Sequence, residues 1–425
     1  MIALLVTWAI TYLCVWKGVK SSSYVVWFTV PGPIIFIFIM VMNGLCLPNA
    51  DEGIRMYLKG EIDGVPADAS KKLSDGQMWA DAVGQIFFSL GVCMGVMTSY
   101  ASYNRRNKPI IRDVFVISFG NCMLSFFSGF AVFSIVGYLK WIGSPVAKNN
   151  SSTGLAFTAY PAAAETLPAS NFWTFILGLT LFTLGIDTAF SLVEAVSTVI
   201  YDTEGGKLVP RKLTALIICV LGWLGSLLFC SSWGFTYFDV IDRYISVYLM
   251  FILGIGQCAA AAWFFQAGHV FTDARKNSAM VITVVYWLGT LVMGPVTIFA
   301  LKGGEGKTAY SLQAYGILIF WVLMIIAWII SFAIKPKDFN AERWCKEIFF
   351  YGAYELAIKV ASRHNENTAG AHQWWYNIFI GWWAFSIKYF IPWCLWTLMM
   401  WNFAADIATD DAGNIIGYGG YHVFW

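Results

Sequence analysis

The chain has 425 residues, of which 58% are hydrophobic, 18% aromatic and only 12% charged, with a formal net charge of +2. A soluble domain carries about a quarter charged residues, so a soluble globular fold is excluded, while the near-neutral balance says little about partners. The four histidines form no metal cluster, and the nine cysteines are scattered without CxxC spacing, so zinc and redox readings fail.

Long apolar runs predict an all-α polytopic membrane protein with ten spans, near 2–16, 24–46, 78–103, 113–139, 171–201, 212–233, 236–266, 278–301, 313–335 and 374–402. The first run is short for a bilayer. It has no basic region ahead of it and leads into Lys17 and Lys20, a pattern unlike a signal peptide. Lys17, Lys20, Arg105, Arg106, Lys108 and Arg112 fall in two short loops on one side, which the positive-inside rule assigns to the cytoplasm. Loops 47–77 and 140–170 and the tail 403–425 then face outward. The second of these loops carries two overlapping glycosylation sequons, Asn149-Asn150-Ser151 and Asn150-Ser151-Ser152. Segment 336–373 mixes charge with bulky apolar residues and reads as a cytoplasmic amphipathic helix over 338–363, with a soluble linker helix as the alternative.

The run Asp81–Tyr103 differs from the other spans. Gly91 and Gly95 flank its middle just after Ser89, and glycine holds helix poorly, so the sequence predicts a helix broken near 89–95. Unwound backbone inside a bilayer must be covered by protein or line a cavity. An ordinary kinked span with glycines for close packing is the alternative.

QIFFSLG at Gln85–Gly91 resembles the sixth helix of the neurotransmitter:sodium symporter family. Further resemblances follow in the family's order: VWKGVKSS at Val15–Ser22, SYASYN at Ser99–Asn104, NCMLSFFSGF at Asn121–Phe130, AYPAAAETLPAS at Ala159–Ser170 and TLGIDTAFSLVEAV at Thr183–Val196. Broken helices at mid-depth mark ion and substrate sites in transporters, a rule drawn in part from a bacterial member of this family and so not independent support. The resemblance implies a partial inverted-repeat transporter fold that begins at the family's fourth helix. Trp374–Trp401 resembles the eleventh helix, which makes 278–335 an insertion. Alternatively that pair is helices eleven and twelve, and 374–402 is an appendage.

Two sets of residues carry the chemistry. Gln85 and Ser89 share one helix face, and Asn121 and Ser125 another. Facing each other they would form a neutral polar cluster able to hold ions, or simply glue helices together. The resemblance implies that Ser89 and Asn121 belong to a first sodium site and that all four bind chloride. Chloride-independent members carry a carboxylate where this chain has Ser125. Asp187 lies deep in the span 171–201, where a carboxylate is expensive and functional by default. With the Leu184 carbonyl and the Thr188 hydroxyl it offers hard oxygens to a monovalent cation, and the resemblance makes this the eighth-helix half of a second sodium site. A protonated, hydrogen-bonded carboxyl is the alternative for Asp187 and the preferred reading for Glu194. The resemblance also places Phe88, Met94, Ala189 and Leu192 around the substrate. Leu192 stands where amine carriers have glycine, which implies an apolar amino acid. Asp242 matches the acidic half of an outer gate, with a solvated interfacial aspartate or a local pairing with Arg243 as alternatives.

The expected activity is sodium- and chloride-coupled symport of a small amino acid or related amine at the plasma membrane, by a fragment of a longer chain. A non-transporting relic or a regulatory partner of an intact carrier is the competing expectation. The implied partners are a small-molecule substrate and the bilayer, with self-association left open and no nucleic acid. No nucleophile elbow, histidine cluster or loop carboxylate pair supports an enzyme.

Overall fold

The computed structural model describes residues 1–60, 73, 76–105, 110–143, 161, 164, 169–265, 267–271, 275–303, 307–365 and 373–406. The sequons, the basic residues Arg106 and Lys108, and the tail from 407 onward lie outside the described residues.

In chain order the principal helices are α1 (Ile2–Val15), α2 (Val19–Thr29), α3 (Pro31–Leu45), α4 (Ala50–Lys59), α5 (Gly76–Leu90), α6 (Val96–Ser102), α7 (Ile110–Trp141), α8 (Ser170–Asp202), α9 (Arg211–Ser226), α10 (Gly234–Arg243), α11 (Met250–Ala259), α12 (Lys276–Gly303), α13 (Lys307–Ala333), α14 (Ala341–Trp344), α15 (Ala353–Asn365), α16 (Gln373–Phe385) and α17 (Ile391–Asp406). No strand occurs among the described residues. Seven helical stretches among them are long and apolar enough to cross a membrane, and Ile2–Val15 is a shorter apolar helix. The run at 24–46 is divided at Val30, because Pro31 and Pro33 lack backbone donors and Pro31 starts a fresh helix at its first position.

The break after α5 falls where the glycines placed it. Gly91 (φ 61°), Cys93 (φ 68°) and Gly95 (φ 80°) all adopt the left-handed region, which no right-handed helix can pass through. Glycine takes this conformation without penalty, whereas Cys93 carries local strain.

The chain divides into two compact units, Met1–Ala69 with Met94–Tyr103 and Phe115–Gly234, and Ser70–Cys93 with Asn104–Val114 and Phe235–Trp425. The first unit is built on α8, which packs against α1, α2, α3, α6 and α9. One of its cores joins Cys14, Val15, Ile186, Phe190, Val193, Ala215 and Cys219; another joins Phe36, Met40, Ala131, Ile135, Leu139 and Leu177.

The second unit is centred on α12, α13 and α17. Contacts pair Ser278 with Ser331, Gly289 with Phe320 and Gly316 with Val296, so α12 and α13 run antiparallel. The helix α17 packs on α5, α11 and α12, so the C-terminal span is part of this unit's core. The core is aromatic, with Tyr286, Phe320, Tyr351, Tyr389 and Trp393 buried together. Segment 338–363 forms two short helices in place of one. The Asn340 side chain caps α14 by accepting from the Arg343 N–H at 2.8 Å, and the chain then turns at Gly352 (φ 80°) into α15. A Cβ at Gly352 would press on the Ala262 carbonyl at 2.6 Å, so glycine is required by both conformation and space. Phe339, Ile348 and Tyr351 are buried in the unit's core, so this segment has apolar anchors in protein.

Candidate ion and substrate site

The helix α8 carries two inward carboxylates with different surroundings. Asp187 is half-buried, and Thr29, the last residue of α2, donates its hydroxyl to Asp187 Oδ1 at 2.9 Å. Thr29 is itself 4% exposed. One turn earlier on α8, the Leu184 carbonyl accepts from the Thr188 hydroxyl at 3.2 Å. Carboxylate, two hydroxyls and a carbonyl thus lie along one stretch of the first unit, and no cationic side chain pairs with Asp187 among the described residues. Such an all-oxygen, singly charged donor set suits a hard monovalent cation. Ala189 is half-buried, while Leu184 and Leu192 are exposed. Thr29 was not legible as a partner, since its only signal is its place just before the Pro31-Gly32-Pro33 junction.

Two turns further along α8, Glu194 is 1% exposed and forms an ion pair with Arg211 at the start of α9. The Tyr103 hydroxyl donates to Glu194 Oε1 at 3.2 Å and accepts from Arg211 Nη2 at 2.6 Å. An arginine stays charged, so the protonated carboxyl expected for Glu194 is replaced by an ion pair between a buried acid and a half-buried guanidinium. Two further bonds hold α6 to α8, Ser99 to Thr198 at 2.9 Å and Tyr100 to Ser191 at 3.2 Å. The Arg211 guanidinium lies against Gly18 (φ 68°), where a Cβ would meet Cζ at 2.6 Å, so the turn before α2 is packed on the same network.

The other expected site residues are distributed between the units. Gln85, Phe88 and Ser89 lie on α5 in the second unit, Asn121 and Ser125 on α7 in the first, and Met94 immediately ahead of α6 in the first. Gln85 and Ser89 are one turn apart and exposed, and Phe88 keeps 45% of its surface. Cys93, the strained residue of the break, donates its thiol to Gln257 Oε1 on α11 at 3.5 Å.

Asp242 is exposed on α10, where it accepts from the Ser246 hydroxyl at 3.3 Å. Arg243 does not take Asp242 as its local partner. It pairs with Asp406 at the end of α17, Nη2 to Oδ1 at 2.9 Å and Nε to Oδ2 at 3.2 Å, and it also donates to Asn402 at 2.9 Å. The Tyr248 hydroxyl completes the group, donating to Asp406 Oδ2 at 2.6 Å.

An all-helical fold with several spans, one of them broken by three left-handed residues, and a half-buried carboxylate that accepts from a hydroxyl has the make-up of a membrane transporter. The sequence profile of the Sodium:neurotransmitter symporter family matches residues 1–335, and the chain belongs to that family. The matched region includes α12 and α13. It is therefore a multi-pass membrane protein of a carrier family, and that family is not one of enzymes. It is 34% identical over 277 residues to a sodium- and chloride-dependent taurine transporter of Rattus norvegicus, a match covering 64% of this chain and 43% of the relative. It is 34% identical over 280 residues to the sodium- and chloride-dependent GABA transporter 2 of Mus musculus, covering 64% and 45%. A taurine transporter of Bos taurus is 35% identical over 277 residues, covering 64% and 43%. The match thus spans less than half the length of these relatives.

Proposed function

We propose that this chain is part of a sodium- and chloride-coupled secondary symporter of the plasma membrane, carrying a small amino acid or amine. The observation that carries this reading is Asp187, a carboxylate within a long apolar helix that accepts from the Thr29 hydroxyl, with the Thr188 hydroxyl bonded to the Leu184 carbonyl on the same helix. These atoms form part of a sodium site. Ser89 and Asn121 contribute to a second sodium site, and together with Gln85 and Ser125 to a chloride site. Phe88, Met94, Ala189 and Leu192 border the substrate, and Asp242 serves the outer gate. The remaining ligands come from residues outside this chain, in keeping with a match to 43% of the taurine transporter's length. The names of the relatives favour a zwitterion such as taurine or GABA over the apolar amino acid that Leu192 implies.

In this reading, sodium binding draws the outward-facing state together, and substrate binding then closes the outer gate. The free energy available for that shift equals the difference in ligand affinity between the two states. Rocking of one helix bundle against the scaffold exposes the site to the cytoplasm.

The test is tritiated taurine and GABA uptake in cells expressing the longest transcript product that contains this chain, with sodium or chloride withdrawn in turn. Uptake is expected to require both ions and to collapse in Asp187→Ala. Uptake unaffected when choline replaces sodium would refute the reading. A silent product that co-purifies with an intact carrier would instead make this chain a regulatory partner.

A further inference from the structure

The second unit buries a lysine with no acid beside it. Lys388 is 4% exposed. Its Nζ donates to the Tyr351 carbonyl at 3.1 Å and the Ile348 carbonyl at 3.4 Å, and it lies 4.8 Å from the centre of the Trp263 ring. No carboxylate pairs with it among the described residues. Glu347, the acid of the neighbouring segment, is held by Arg275 at 2.9 Å and Arg343 at 2.7 Å. An ammonium has three donors, and carbonyl oxygens satisfy two of them without neutralising the charge. Buried charges are ordinarily paired, because an isolated one in a low-dielectric interior is strongly disfavoured.

Two further observations converge on the same place. A cavity of about 20 Å³ is lined by Lys388 with Ala262, Trp263, Thr283, Ile348 and Tyr351. That volume suits a single water-sized species. Three π-helical turns also meet here, Ala260–Phe264 carrying Trp263, Cys345–Phe349 carrying Ile348, and Ser386–Phe390 carrying Lys388. Such turns are rare and recur at functional sites, because each widens a helix locally at some cost in regular hydrogen bonding.

We infer that Lys388 and the cavity beside it form a binding site for a single halide ion, chloride in the cell, within the second unit. With the amine protonated, the ion serves as its counter-charge and takes the third donor. This site shares no residue with the chloride site proposed above and does not depend on that reading. It holds the π turns Ala260–Phe264 and Ser386–Phe390 and the turn before α15 around a common charge, so its expected effect is on the stability of the unit.

The test uses the full chain, purified and unfolded by heat in chloride or in gluconate at constant ionic strength. Saturating chloride is expected to raise the Tm by about 3 °C. In an Asn121→Ala background, which removes the chloride site proposed above, part of this increment is expected to persist and then to vanish when Lys388→Met is added. Loss of the increment in Asn121→Ala with its retention in Lys388→Met would overturn the inference while leaving the proposed coupling site intact. If Lys388→Met does not fold, bromide-soaked crystals of the unaltered chain decide the matter. An anomalous peak within about 3.5 Å of Lys388 Nζ supports the site, and its absence refutes it.

Discussion

Asp187 and Glu194 are seven residues apart on α8, and the two carboxylates have opposite surroundings. Glu194 is closed off by Arg211 and Tyr103, with its charge neutralised inside the protein. Asp187 receives one hydroxyl, from Thr29, and no cation among the described residues. A buried carboxylate that already has a guanidinium is a clamp, because removing either partner strands the other charge. A carboxylate given only neutral donors still has an unmet charge and can recruit a mobile cation. Depth in the apolar helix is common to both, so it is the partner that distinguishes the two acids here, and the proposed ion role falls to Asp187.

The comparison breaks most visibly in transport. Asp187→Ala is expected to lower sodium-dependent uptake on the order of 100-fold, the equivalent of losing one charged ligand worth about 2.7 kcal/mol. Glu194→Ala is expected to act on stability instead, costing about 3 kcal/mol because it leaves Arg211 without its buried acid. In thermal unfolding, the Glu194→Ala and Arg211→Ala double variant should be less destabilised than the sum of the single variants. Additive losses would show that the two side chains do not act as a pair.

Thr29→Ala sharpens the other half of the comparison. Losing one hydrogen bond to a charged group costs about 1.5 kcal/mol, so the half-saturating sodium concentration should rise about tenfold with Tm little changed. Ser125→Glu places a fixed negative charge where the chloride is proposed to bind, and uptake should then persist when chloride is replaced by gluconate. The smallest effect belongs to the surface pair Glu342 and Lys346. The hydrogen bond and charge of Lys346 hold the Glu342 carboxyl below its usual range, and Glu342 raises Lys346 in turn. A lowered acid stabilises above its ordinary pKa and loses that contribution as pH falls through the folded value. Because the pair is solvent-exposed, Glu342→Gln should leave Tm unchanged at neutral pH.

The broken helix was legible because glycine is the residue that tolerates left-handed backbone, and Gly91 and Gly95 marked its place. Cys93, the third left-handed residue, carried no such signal; its thiol meets Gln257 on α11. Asp187 was legible because a lone acid in an apolar run is conspicuous. Its partner Thr29 was not, because 158 positions separate them and nothing in local spacing joins α2 to α8. Glu194 was misjudged for the same reason: Arg211 reads in sequence as an ordinary basic residue flanking a span. The turn at Gly352 was hidden inside a pattern that looks continuously helical, and Arg243 looked like a neighbour for Asp242 until α17 supplied Asp406.

The most direct measurement is equilibrium binding of radioactive sodium to the longest product containing this chain, in unaltered form and as Asp187→Asn, which keeps the shape and removes the charge. Saturable binding that is lost in Asp187→Asn, with Tm preserved, is the predicted result. Binding of equal affinity in both proteins would contradict the assignment of Asp187 to a sodium site.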